Sequence, residues 1–185
     1  FTIGFEDEEN EIEEAVKTTL KGCIQSRVKI ENLAIFDLEY IFLQIRAVSV
    51  GEIVEMKVTC KDDNTTKVQY NLNLSEVNVI KPEGHSNKIM LSDDMGVIMK
   101  YPQWNDFIIG SVMGQSPSAE GIIEIIADCV DQIFDAEDVY DSSTTSKKEF
   151  VQFVENLTNT QFEKIQEFFQ SCPRLEHKFT VIRSE

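Results

Sequence analysis

Between Phe36 and Gly51 the chain reads Phe-Asp-Leu-Glu-Tyr-Ile-Phe-Leu-Gln-Ile-Arg-Ala-Val-Ser-Val-Gly, and no other run combines such apolar density with helical length. At about 100° per residue, Leu38, Ile41, Phe42 and Ile45 fall on one flank, and Phe36, Tyr40, Leu43 and Ala47 on the opposite one. Two narrow polar seams, Asp37 with Gln44 and Glu39 with Arg46, separate them. A surface helix carries one apolar stripe, so a helix with two is expected to be covered on both sides. The stretch is therefore read as a core helix between a sheet and other helices, with Phe36, Tyr40, Ile41, Phe42, Ile45 and Arg46 as its structural residues. Arg46 keeps its charge in a protein and is expected to meet a carboxylate or carbonyls, Glu39 on the same seam being one candidate. The polar residues also interrupt the roughly 20 apolar residues that a membrane span needs.

A chain of 185 residues suits one domain or one and a half, and is long enough to bury a substantial core. Its 42% hydrophobic content and 12 Phe exclude a disordered polymer. With 17 Lys and Arg against 33 Asp and Glu, the net charge is -16. Binding nucleic acid through phosphates requires clustered cations, so the expected partners are proteins and nucleic acid is excluded. The acidity also has a plain reading as a solubility device. The four Cys (23, 60, 129 and 172) stand far apart with no Cys-x-x-Cys, which points to reduced thiols in a cytosolic setting. His85 and His177 are the only histidines and lack finger-type spacing, so no metal is expected. The chain opens on Phe1 and its first residues read as a strand entered partway, so it is expected to be truncated at both ends.

In chain order, residues 6–14 hold seven acids and no base and lead into the amphipathic spacing of Ile12, Ala15, Val16, Leu20, Cys23 and Ile24. Acids complement the positive end of a helix dipole, so the run reads as a solvated helix start; Glu8 and Glu9 are also candidate contacts for a basic partner. After Gly51, Val54, Met56, Val58 and Cys60 alternate with polar residues, and so do Val68, Tyr70, Leu72 and Leu74. Two such runs around a short polar loop are a hairpin. Asp62, Asp63 and Asn64 lack the Gly and distal Glu of a calcium loop and read as turn residues. Shorter strands are expected at 77–80, 88–91 and 97–101, in a small antiparallel sheet whose edge could accept a further strand.

From Pro102 to 172 everything reads helical: a stripe at Trp104, Phe107, Ile108 and Val112, and another at Ile122, Ile125, Ile126, Cys129, Val130 and Ile133. An acidic connector (135–141) follows. Ser146 with Glu149 and Thr158 with Gln161 form two capping boxes, which predict a helical hairpin with almost no loop. Its Phe-rich stripes are read mainly as core, with Phe168 and Phe169 as candidate interface residues where exposed. Leu175, His177, Phe179 and Val181 alternate as a final strand, on which His177 is a packed or interface residue. The expected fold is α+β: a small, mainly antiparallel sheet packed on a buried central helix, then a helical C-terminal half and a last strand. Residues 1–101 and 102–185 would form two portions of one compact unit.

No Gly-rich phosphate loop, Gly-x-Ser-x-Gly elbow or His-Glu-x-x-His pattern is present. No catalytic residue and no cofactor is therefore assigned. The acids from Asp131 to Asp141 lack a fixed ligand order and read as a solvated connector.

Three stretches together resemble the T4-type bacteriophage baseplate hub assembly proteins. They are the helix 36–51 followed by Glu52, then Leu91-Ser-Asp-Asp-Met-Gly-Val-Ile-Met-Lys-Tyr-Pro102, and 150–173 with its Gln161-Phe-Glu-Lys-Ile-Gln-Glu-Phe-Phe169. The resemblance implies a non-enzymatic phage protein that helps build the central hub of a contractile-tail baseplate, as a virion subunit or as an assembly chaperone. It also implies a place in the virion tail or the infected cell's cytoplasm, with hub or tape-measure proteins as partners and self-association compatible. A rival reading is an acidic protein-binding module or nucleic-acid-mimicking decoy; an enzyme using the acids near Asp131 is a third.

Overall fold

The computed structural model describes residue 15 and residues 18–24, 29–103 and 118–180. The acidic run with Glu8 and Glu9, much of the first amphipathic segment and the stripe at 104–112 lie outside them. Within them the fold is α+β, as the patterning predicts. A helical turn at 18–23 and a 3-10 turn at Ile30–Asn32 lead into helix α1 (Ile35–Val50). Strands β1 (Ile53–Thr59) and β2 (Lys67–Asn73) pair from Ile53 with Asn73 to Thr59 with Lys67, the expected hairpin. Its turn is built by Asp63, whose carboxylate accepts from the backbone N–H of Thr65 (3.0 Å) and Thr66 (2.9 Å) and from the Thr66 hydroxyl. Asn64 takes the positive φ of 53° that Asn tolerates.

Among the described residues all strand pairs are antiparallel, but they form three sheets where one was expected. Besides the hairpin, β3 (Asn78–Ile80) pairs with the last strand, β8 (Arg174–Glu176). The third sheet orders β4 (Lys88–Met90), β5 (Gly96–Met99), β6 (Val130–Phe134) and β7 (Val139–Asp141). Strands β6 and β7 correct the helical reading of Val130, Ile133 and the acidic connector. Helix α2 (Ala119–Cys129) stops at Val130, and its apolar spacing runs on into a strand laid beside β5. A short apolar run satisfies either periodicity, and here the need of β5 for a partner decides. The connector itself is a tight turn, in which Asp135 accepts from the N–H of Glu137 and Asp138. The last strand also stops earlier than expected, at Glu176: that residue pairs with Asn78, and the chain just before Asn78 is the 3-10 turn Leu74–Glu76, which offers no strand to continue the ladder.

Both capping boxes form. Ser146 opens α3 (Lys147–Glu155) with Glu149 bonding back to its N–H, and Thr158 opens α4 (Asn159–Gln170) with Gln161 in the same role. The main core gathers Val97 and Met99 of β5, Ile126 and Cys129 of α2, Phe150 and Val154 of α3, and Ile165 and Phe168 of α4. A smaller cluster joins Leu20, Ile30 and Leu38, with Ile41 and Ile45 against it.

Helix α1 is covered less than its two stripes led us to expect. One flank lies on the small cluster, and other contacts run to β3, β8 and the 3-10 turn Leu74–Glu76. Yet only Leu38 is fully buried; Tyr40 and Phe42, expected in the core, are 37% and 45% exposed, and Val48 is 88% exposed in the last turn. The elements around α1 are short, so they touch both flanks without closing over them. Arg46 finds a carbonyl, not Glu39: its Nη1 donates to the oxygen of Gly51 at 3.4 Å. Gly51 closes the helix at φ 120°, a conformation that side chains with a Cβ avoid.

Candidate interaction surfaces

Two aromatic groups fix the chain's long-range geometry. In the first, Phe36 at the start of α1 meets Tyr101 edge-on (5.2 Å between centroids), and His85, Tyr101 and Phe168 of α4 form a triangle of rings (His85–Tyr101 5.6 Å, His85–Phe168 5.2 Å, Tyr101–Phe168 6.0 Å). His85 also bonds Ser171 Oγ through Nδ1 (2.9 Å) and the Tyr101 hydroxyl through Nε2 (3.1 Å). Burial, and then the charge of Lys81, hold this imidazole below its ordinary pKa; burial, and then Cys172, push the Tyr101 hydroxyl up. The Cys172 thiol itself is raised to about 11 by burial, which removes the thiolate that nucleophilic or redox chemistry requires.

In the second group, Phe179 stacks on Tyr70 of β2 at 3.9 Å, and His177 bonds the Tyr70 hydroxyl at 2.9 Å. His177 is thus a packed residue that pins the end of the chain onto the hairpin, with Glu76 at 3.7 Å from its Nε2. An open cleft of about 580 Å³ lies where residues 58–62 face 177–180.

Phe168, expected at an exposed surface, is 3% exposed and belongs to the core. Ile165 and Phe168 face the sheet, and that turns Phe162 and Phe169 toward α2. There they line a solvent-open groove of about 310 Å³ with Ile122, Ile125 and Ile126, edged by Gln166 and Gln170. Phe169 therefore joins Ile122 and Phe162, which the sequence reading placed on helix stripes but not at an interface. Phe162, Ile165, Phe168 and Phe169 fall on one stripe of α4 about 120° wide, and spacing does not tell which edge of it faces the sheet. The other exposed apolar side chains include Val50, Ile53, Val139 and Tyr140.

Carboxylates that read as candidate cation ligands are occupied in turns. Asp141 accepts from Ser143 N–H and Gln132 Nε2, and these bonds, Ser143's first, hold it at about 2. Asp131 faces Lys100 at 3.8 Å and accepts from Ser142 Oγ. Among the described residues no group of three or more His, Cys, Asp or Glu is disposed to hold a metal ion, and no helix is long and apolar enough to cross a membrane.

Residues 2–184, nearly the whole chain, match the family described as T4 bacteriophage base plate protein. The chain belongs to that family. No curated protein and no solved structure matches it. The match spans the hairpin, all three sheets and the groove, so the baseplate family accounts for the whole described fold and not for one motif. Membership makes this a phage baseplate protein and points to other baseplate proteins as its partners.

Proposed function

We propose that the chain acts in building the central hub of the baseplate of a contractile tail, as a subunit or as an assembly chaperone, through protein contacts and without chemistry of its own. The observation that carries this reading is the family match over residues 2–184. The surface agrees with it: apolar side chains stand exposed on α1, on β7 and along the α2–α4 groove, while Asp141 and Glu149 are engaged in a turn and a helix cap. Contiguous exposed apolar surface on a small protein marks places where other proteins sit. The proposed location is the tail or the cytoplasm of the infected cell, and the thiols stay reduced there. The test is to isolate the tagged chain from infected cells and identify what comes with it. Hub or tape-measure proteins are expected; recovery of a nucleic-acid-binding protein alone would favour the acidic-decoy reading instead.

A further inference from the structure

We propose that the groove between α2 and α4 receives one amphipathic helix of a partner protein, apolar on the face that enters and basic along its margins. The inference rests on the reading that the chain works through protein contacts, and it names the chemistry of one partner. The floor is continuous and apolar: Ile122, Ile125 and Ile126 on one side, Phe162 and Phe169 on the other. Ile122 is 39% exposed, although it lies on the face that α2 turns toward α4. On α4 the lining runs from Phe162 to Gln170, about 12 Å, which matches two turns of an incoming helix with anchors at i, i+3 or i+4, and i+7.

Charge selects among occupants. Beyond the edge residues Gln166 and Gln170, the next row of α4 presents Glu163 and Glu167, neither in an ion pair with a described residue. Helix α2 carries Glu120, Glu124 and Asp128 and no Lys or Arg, and of these Asp128 is paired with Lys147 of α3 at 2.8 Å. The one cation on either wall, Lys164, is turned inward and donates to the carbonyls of Met90 (2.8 Å) and Leu91 (3.3 Å). An apolar floor beside Glu163 and Glu167, on a chain of net charge -16, attracts a helix whose apolar stripe is bordered by Lys or Arg, and repels a second copy of this acidic chain.

The experiment uses the full chain and two fluorescent peptides of about 14 residues. Both carry Leu at i, i+3, i+4 and i+7; one has Lys at the flanking positions and the other Glu. The Lys peptide is expected to bind at one site per chain, less tightly at higher salt, and the Glu peptide not to bind. Ile122→Asp, at a half-exposed position that leaves the thermal melt unchanged, is expected to weaken the Lys peptide by at least about tenfold. The double variant Glu163→Lys, Glu167→Lys should weaken it too and admit the Glu peptide. Equal binding of both peptides, no binding, or indifference to Ile122→Asp overturns the proposal. So does a dimer that Ile122→Asp abolishes, or binding that appears only once 104–117 is replaced by a Gly-Ser linker. Phage lacking the chain and supplied with the Ile122→Asp form separates the two levels. Normal baseplates there overturn the groove and leave the baseplate role standing; normal baseplates with no chain supplied overturn the role itself.

Discussion

At the scale of single residues, His85 shows how one side chain holds distant segments together. Ser171 Oγ donates to the carbonyl of Glu167 at 2.7 Å, so toward His85 it accepts, and Nδ1 carries the proton. Nε2 is then the acceptor for the Tyr101 hydroxyl. Protonation would make Nε2 a donor, so that the Tyr101 hydroxyl must turn round and accept, and would place a charge in a half-buried aromatic group near Lys81. The folded pKa lies below the ordinary 6.5, so the unfolded chain binds the proton more readily. Stability from neutral His85 is complete above 6.5 and is lost as pH falls through the folded value. Melting wild type and His85→Gln from pH 7.5 down to 5.5 should show a steeper decline for wild type; parallel declines would contradict the account. Carboxylates such as Asp63, held at about 2 first by the Thr66 side chain, lose their contribution only below that window. The sequence marked His85 as one of two histidines and went no further, because its partners lie 16 and 86 residues away.

At the scale of elements, strands are held by cross-strand fit and helices by their caps. Gly96 of β5 lies opposite Phe134 of β6, and a Cβ there would come within 2.5 Å of the Phe134 ring and 2.7 Å of the Ile89 carbonyl. The ring could move, but the backbone oxygen could not, so Gly96→Ala is expected to cost about 1–3 kcal/mol in urea unfolding. Thr158→Ala removes the box that starts α4 and should cost about 1 kcal/mol, with Thr158→Ser close to neutral. A loss under a few tenths would mean that tertiary packing alone sets the start of α4. Features written in local chemistry were legible: the alternation of β1 and β2, the Asp63 turn, both capping boxes. The β6–β7 hairpin was not, since Val130 and Ile133 continue the helical spacing of Ile126 and Cys129 and no Gly or Pro marks the change. The position of Phe168 was also not legible, because periodicity gives the stripe but not which half of a wide stripe faces the sheet.

For the whole molecule, the informative departure is α1. Its two apolar flanks were expected to be closed over, yet Tyr40, Phe42, Val48 and Val50 remain exposed in the isolated chain. A protein that works in an assembly can leave such surface for its neighbours, at the risk of self-association that a charge of -16 opposes. The groove between α2 and α4 fits the same account: the described fold divides its interior between a main core and a smaller cluster and keeps apolar surface outside. That account requires the chain to be indispensable where its family is found. Electron microscopy of lysates from phage deleted for this chain tests the requirement most directly. Tails lacking complete baseplates, restored by supplying the wild-type chain, are expected; intact contractile-tailed particles in normal number without it would contradict the account.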